Sequence, residues 1–333
     1  MSNKRNPWVD VTRVAAAAGI ILCHVDLTGY GGIGILLNQF LSVRFSLMFF
    51  LAIIGYYLEK SFQNGTNPVR GRVLSLIRVY GVWSLVYAAL SFVMLVLIQN
   101  VPLGQFLVSK MKGFFFSGSY YHFWFYPAVI YSLLFIGGIR KLLGGRTLLF
   151  LMPMALVLYV VGLLGTGYLP IGRLIPGLRI LYASEAFEDV MHLCFLGFPS
   201  IIFGMAAAGK SRECSGTMLL AAAAFYVAES MLLCLHLGWR EDPQMLISTP
   251  LLTVLFLHWI QNRKTGRGRM NPSQLRVISS GMYNVHPLFL AVFAVILPGL
   301  DGLWVFTLCT ACSVCFGWIL YQLRKFRFFT LFI

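Results

Sequence analysis

Two ionisable side chains bracket the first apolar stretch of the chain. Arg13 and His24 are separated by ten residues, and the segment 14–23 between them carries no charge. Eleven helical steps make about three turns, so a helix would place both side chains on one face, roughly 16 Å apart along its axis. A guanidinium binds anions, and an imidazole can take a proton from a hydroxyl and return it. The spacing therefore predicts a polar path into the membrane, in which His24 is either a general base or the partner in a hydrogen bond between helices. We keep Arg13 and His24 as candidate catalytic residues.

Three other polar positions could serve this chemistry. Glu229 lies within an apolar run, so its carboxylate should pair with a histidine or an arginine or else be protonated. It could form a structural pair or bind substrate, and we keep it as a candidate catalytic residue that orients His24. Asp26 could orient His24 or contact substrate, provided that the helix ends near it. His286 precedes a proline, so it marks either a helix kink or a substrate contact.

An aromatic run contains His122 and Trp124. Such a run is typical of the membrane–water interface, and it could also form the binding site for an acceptor substrate. His122 and Trp124 could therefore each lie at the interface or bind the acceptor. We keep them as candidate substrate-binding residues.

Arginines cluster where the third apolar run begins. Arg70, Arg72 and Arg78 could hold phosphate groups or could be ordinary solvated cations. The polybasic loop 263–276 presents the same choice between a phosphorylated cofactor and anionic lipid. The sequence has neither a Walker loop nor a dinucleotide fingerprint. No metal site is predicted, because the closely spaced cysteines near residue 312 lack neighbouring histidines or acids.

The composition assigns the chain to integral membrane proteins. Of its 333 residues 59% are hydrophobic and 11% are charged, with a mean hydropathy of +0.79. A soluble domain of this size would lack the polar residues to cover its surface. The net charge of +15 does not indicate nucleic-acid binding, because the basic residues form short clusters between apolar runs and no nucleic-acid motif is present.

Apolar runs predict an all-α membrane domain spanning residues 1–333, with no soluble domain. Most of the 26 basic residues fall on one side of the predicted topology, which places both termini in the cytoplasm and leaves the first span uncleaved. About ten transmembrane helices are predicted, at 11–30, 40–58, 73–98, 121–138, 148–165, 190–208, 217–236, 246–262, 277–297 and 302–322.

Several segments, in their order along the chain, resemble the acyltransferase-3 family of integral membrane O-acyltransferases. They are residues 10–13 with His24, 45–57, 72–78, 122–125 and 283–287. Residues 121–128 and 228–230 also resemble the membrane portion of VanT-type serine racemases, which belongs to the same family. The chain departs from the family pattern at Ile54, where serine is usual, and at Gly81, near which proline is usual.

The resemblance implies transfer of an acyl group, commonly acetyl, from cytoplasmic acyl-coenzyme A to a hydroxyl of an extracytoplasmic envelope glycan or a related acceptor. In this reading Arg13, Arg72 and Arg78 hold acetyl-coenzyme A, and no metal is needed. The partners are the thioester, the acceptor and membrane lipid in the plasma membrane, without nucleic acid, and a homo-oligomer is possible. The alternative is a transporter for a small amino acid such as serine that retains the acyltransferase fold. A third alternative is a structural membrane partner of a biosynthetic enzyme.

Overall fold

The computed structural model describes residues 6–209, 214–239, 244–263 and 271–333, and within these ranges it contains helices and turns but no β-strand. This confirms the all-helical prediction. Half of the polybasic loop, residues 264–270, lies outside the described residues, as do the predicted cytoplasmic cations at positions 4, 5, 210 and 212.

Fifteen α-helices occur in the described part of the chain. In order they are α1 Pro7–Cys23, α2 Gly31–Ile35, α3 Val43–Gln63, α4 Val69–Phe92, α5 Leu103–Phe115, α6 Phe125–Leu143, α7 Thr147–Gly165, α8 Leu169–Gly172, α9 Pro176–Tyr182, α10 Glu185–Val190, α11 Phe198–Ala207, α12 Gly216–Met231, α13 Ser248–Asn262, α14 Pro272–Ile296 and α15 Gly302–Leu323.

Several helical stretches are widened into π-helix or tightened into 3₁₀-helix. The π-helical segments are Leu36–Ser42, Val93–Ile98, Met191–Gly197 and Leu232–His236, and the 3₁₀ turns are Thr28–Tyr30, Gly144–Arg146 and Phe329–Phe332. A π-helical turn displaces backbone groups from the regular i to i−4 pattern and often occurs at functional sites.

Six helical stretches of the described chain are long and apolar enough to cross a bilayer. They are Thr28–Gln63, Val69–Ile98, Phe125–Gly165, Gly216–His236, Pro272–Ile296 and Gly302–Leu323. The protein is thus a multi-pass helical membrane protein. The count of ten spans and the cytoplasmic position of the termini stay predictions.

Helix α1 begins and ends earlier than the predicted 11–30. Asn6 caps its start by accepting a hydrogen bond from the Trp8 amide at 3.0 Å, and Pro7 occupies the first turn. The helix ends at Cys23, and Asp26 then accepts a hydrogen bond from the Thr28 amide at 2.8 Å. This bond to the residue two positions on forms an Asx turn, which competes with helix continuation. The predicted end at residue 30 was therefore wrong.

The chain forms two compact units. One comprises Met1–Ile53 and Gly209–Ile333, and the other comprises Ile54–Ala208. We refer to them as the split unit and the central unit. The prediction of a single domain over residues 1–333 is not tested by this division.

Within the split unit, α14 packs against both α15 and α1. Helices α14 and α15 cross closely at two glycines, because a Cβ on Gly281 would lie 2.8 Å from the Gly317 Cα. Small residues permit such close approach in membranes. Ala17 and Ile21 of α1 join an apolar cluster with Ile278 and Met282 of α14 and Cys309 of α15, so the three helices pack together.

Within the central unit, α6 and α7 pack beside the helix formed by Met191–Gly197 and α11. Gly55 lies against the backbone of Ile201, and a side chain at this glycine would overlap the carbonyl oxygen. Tyr80 of α4 donates a hydrogen bond to the Phe114 carbonyl at 2.8 Å and accepts one from the Ser119 amide at 3.0 Å, which ties the segment after α5 to α4.

Candidate active site

Helices α1 and α14 run parallel and place ionisable groups side by side at two levels, one at the start of both helices and one where the end of α1 lies beside the middle of α14. At the start of the pair, Asp10 of α1 contacts Arg276 of α14. At the far end, His24 stacks on His286. Sequence reasoning had treated the two histidines separately, and the parallel packing brings them together.

The first end is a cluster of two arginines around one carboxylate. Asp10 is almost completely buried, and its oxygens lie 3.3 Å from Arg276 Nη1 and 3.7 Å from Arg13 Nη1. The two arginine side chains retain 32% and 22% exposure. The cluster therefore brings two guanidinium groups and one carboxylate together on a partly exposed surface. Such a surface suits an anion, with phosphate favoured by the guanidinium geometry.

The second end is a pair of stacked imidazoles. The rings of His24 and His286 have centroids 5.3 Å apart and planes inclined by 22°. His24 follows the last residue of α1 and is exposed, whereas His286 is completely buried. Of the two stacked rings, that of His24 is therefore the more exposed, and that of His286 is enclosed by protein.

Pro287 explains how the buried ring is held. Proline has no backbone N–H, so the Tyr283 carbonyl four residues earlier loses its usual helical donor. The His286 Nδ1 atom lies 2.8 Å from that carbonyl oxygen and 3.1 Å from the Met282 carbonyl oxygen. Since carbonyl oxygens only accept, Nδ1 must carry the proton, and in the neutral ring the lone pair resides on Nε2. Helix α14 continues past the proline to Ile296.

The end of α1 beside His24 is held by a residue that sequence reasoning missed. Asn38, in the π-helical segment Leu36–Ser42, donates from Nδ2 to the Val25 carbonyl at 2.6 Å and to the Leu22 carbonyl at 3.2 Å. These two carbonyls flank His24 in the chain. A neutral asparagine in an apolar run gives no signal in a search for ionisable groups.

Glu229 lies on α12, in the same unit as the histidine pair. Its carboxylate accepts hydrogen bonds from the amides of Ile247 and Ser248, both at 2.8 Å, and from the Ser248 hydroxyl. These donors belong to the N-terminal end of α13, where amides lack helical acceptors and a negative charge is favoured. The contacts give Glu229 a structural role, and its catalytic role stays a prediction.

Asp26 lies at the exposed end of α1. Its carboxylate accepts hydrogen bonds from the Thr28 hydroxyl at 2.6 Å and from the Thr28 amide, which lower the pKa of this carboxyl below its ordinary value. Nearby, Tyr30 donates to the carboxylate of Asp301, the N-cap of α15. The hydrogen bonds between Asp26 and Thr28 thus shape the turn, and the role of Asp26 toward substrate stays a prediction.

The two other candidate cofactor residues belong to the central unit. Arg72 is partly buried and donates to the carbonyls of Ile54 and Tyr57 at 3.5 and 3.1 Å and to the Ser61 hydroxyl at 3.3 Å. It thereby fastens α4 to α3. Arg78 is exposed. Coenzyme binding by either arginine stays a prediction, and the Arg72 contacts favour a structural role.

His122 and Trp124 lie in an aromatic cluster of the central unit. His122 is buried, with its ring centroid 5.4 Å from that of Tyr87. Trp124 stacks on His192 at 4.4 Å, and this histidine is only partly buried. Trp124 is buried like His122, so His192 is the more exposed of these three rings. Among the described residues, no group of three or more histidine, cysteine or acidic side chains is arranged to hold a metal ion.

Comparison with known proteins identifies the family. An amino-acid racemase of Enterococcus faecalis is 23% identical over 344 residues, which cover 95% of this chain but only 46% of the racemase. The chain therefore spans less than half the length of this relative. No solved structure matches the chain significantly. The family model described as "Acyltransferase domain" matches residues 6–322, which is nearly the whole sequence. The chain belongs to the acyltransferase-3 family of membrane acyltransferases.

Proposed function

We propose that this protein transfers an acyl group, most simply acetyl, from cytoplasmic acyl-coenzyme A to a hydroxyl of an envelope glycan or related acceptor outside the plasma membrane. The observation that carries this proposal is the arrangement of α1 and α14, which hold two arginines and a carboxylate at the start of both helices and the more exposed of two stacked imidazoles at the end of α1. The family supplies the general reaction, and this geometry supports the finer assignment of donor and acceptor.

The distance between the two ends suits a thioester of coenzyme A. Arg13 and His24 are separated by about 16 Å of helical rise, and an extended pantetheine arm reaches a similar distance of roughly 15–20 Å. Phosphates bound at Arg13 and Arg276 would therefore leave the thioester carbonyl near His24. Holding the two reactants in this way removes much of the entropy cost of their encounter.

His24 is the group that we assign to proton transfer. It takes the proton from the acceptor hydroxyl, whose oxygen forms a new ester bond with the acyl carbon. The carbon–sulfur bond breaks, and the imidazolium returns the proton to the departing thiolate. His24 immediately follows the C-terminal end of α1, where the helix dipole favours a positive charge. The transient imidazolium is stabilised by this position.

A test follows the acyl group in cells. Envelope glycans would be isolated from cells that lack the gene and from cells that express the wild-type protein, the His24→Gln variant or the Arg13→Gln variant at equal levels in the membrane. We expect the mass increment of one acyl group in the wild-type glycan and its loss in the His24→Gln sample. Full acylation by His24→Gln would contradict the mechanism.

A second function is favoured by one comparison. The chain aligns with part of an amino-acid racemase, so a transporter for a small amino acid such as serine could share this fold. Purified protein in proteoliposomes separates the two. A transporter takes up labelled serine whether or not acetyl-coenzyme A is present, whereas the acyltransferase releases coenzyme A and shows no serine flux.

A further inference from the structure

We infer that Asn38 is a positioning residue that fixes His24 for acyl transfer, an inference that rests on the proposed function. The last carbonyl groups of a helix lack helical donors and must find partners elsewhere. The Val25 carbonyl, two residues beyond the end of α1, accepts a hydrogen bond from Asn38 Nδ2 at 2.6 Å, and the Leu22 carbonyl in the last turn of α1 accepts one from Nδ2 at 3.2 Å and one from the Val25 amide at 3.3 Å. Both Nδ2 contacts are thus made to backbone on either side of His24.

The burial of Asn38 makes these bonds strong constraints. The side chain is 5% exposed, and Val25 is 4% exposed. A buried carbonyl that loses its donor is not compensated by water, so the turn would have to rearrange to recover a partner. Because His24 lies between the two carbonyls, such a rearrangement moves the His24 backbone and with it the imidazole.

The segment that carries Asn38 is itself braced. Ser42 donates from its hydroxyl to the Asn38 carbonyl at 2.8 Å, and Tyr226 of α12 donates to the Phe40 carbonyl at 2.6 Å. The π-helical turn therefore has its own internal support, and Asn38 is the side chain through which it bonds to the end of α1. The amide orientation follows from chemistry, because only the NH₂ group can donate to two carbonyls.

This role makes a specific kinetic prediction. Asn38 touches neither thioester nor acceptor in our account, so its loss should lower kcat and leave KM for acetyl-coenzyme A unchanged within about threefold. Displacement of a catalytic base from its productive position lowers the rate about 10- to 100-fold. We expect Asn38→Ala and Asn38→Asp to fall in this range. The aspartate keeps the volume but removes the NH₂ donor, so it separates hydrogen bonding from packing.

The matched control is Ser42→Ala. It removes a bond between a side chain and the backbone within the same π-helical segment but none to α1. We expect kcat within about twofold of the wild-type value. Each variant would be purified in detergent, checked for a monodisperse elution profile, and assayed for coenzyme A release from acetyl-coenzyme A with envelope glycan as acceptor.

A second measurement does not depend on activity. Diethyl pyrocarbonate modifies accessible imidazoles, and peptide mass spectrometry reports the rate at His24. We expect both Asn38 variants to change this rate at least threefold and Ser42→Ala to leave it unchanged. Wild-type kcat and wild-type His24 reactivity in Asn38→Asp would overturn the inference, as would equal effects of Ser42→Ala and Asn38→Ala. A wild-type protein that transfers no acetyl group would refute the proposed function, and the His24 reactivity would then decide on Asn38 alone.

Discussion

Substitution of Glu229 tests whether its carboxylate stabilises the fold or takes part in catalysis. Its Oε1 atom accepts from the Ile247 amide, and its Oε2 atom accepts from the amide and hydroxyl of Ser248. In Glu229→Gln one oxygen becomes an NH₂ group. The best orientation keeps both Ser248 bonds and turns the new donor toward the Ile247 amide, which is also a donor. At least one bond to a charged acceptor is therefore lost.

The size of the effect follows from these contacts. A hydrogen bond to a charged group contributes about 1.5–3 kcal/mol, and a negative charge at a helix N-terminus contributes roughly 0.3–1 kcal/mol. We therefore expect Glu229→Gln to lower the free energy of unfolding by at least about 2 kcal/mol. Glu229→Ala should cost more, because it removes all three accepted bonds and leaves a space beside the start of α13.

The assay compares stability and activity in the same preparations. Unfolding in detergent would be followed by tryptophan fluorescence, and kcat would be corrected for the folded fraction. For a structural Glu229, we expect Glu229→Gln to lose stability while kcat per folded molecule stays within about threefold. Unchanged stability together with loss of kcat by two or more orders of magnitude would refute this reasoning and place Glu229 in the chemistry, as the sequence had suggested.

Three further predictions concern the ends of the helix pair and the central unit. Arg13→Gln and Arg276→Gln should each raise KM for acetyl-coenzyme A about tenfold with a smaller effect on kcat, because a guanidinium–phosphate contact contributes about 1.5–3 kcal/mol at most. A wild-type KM for both variants in steady-state assays would exclude coenzyme binding by these arginines. Pro287→Ala restores an N–H that competes for the Tyr283 carbonyl, so kcat should fall up to about tenfold while thermal stability holds or rises; a loss of stability without a change in kcat would contradict the role of the proline. Arg72→Gln should lower thermal stability by breaking the α3–α4 bonds with KM within about threefold, and a large rise in KM would instead favour coenzyme binding.

The sequence was sufficient to predict the helical class and the family. Hydropathy and charge distribution are local properties, so apolar helices could be predicted directly. The end of α1 was missed because the hydropathy pattern continues beyond Cys23. The Asx turn at Asp26 and Thr28 stops the helix through a side-chain hydrogen bond that hydropathy does not report.

The partners of the catalytic candidates could not be predicted from one sequence. The stacking of His24 on His286 and the contact of Asp10 with Arg276 depend on how α1 and α14 pack, and the two helices lie at opposite ends of the chain. The hydrogen-bond donors to Glu229 could not be predicted from the sequence either. A buried carboxylate must find donors, and those of Glu229 include two amides at the start of α13, which the sequence alone does not indicate.

Acyl transfer at His24 is tested most directly by supplying a labelled acyl donor to one face of the membrane. Inside-out membrane vesicles from cells that express the wild-type protein or His24→Gln would receive acetyl-coenzyme A with a ¹³C-labelled acetyl group, and the enclosed envelope glycan would be analysed by mass spectrometry. We expect labelled ester in the wild-type vesicles and at least a hundredfold less with His24→Gln. Equal labelling in the two samples, or no label in either, would contradict acyl transfer at His24.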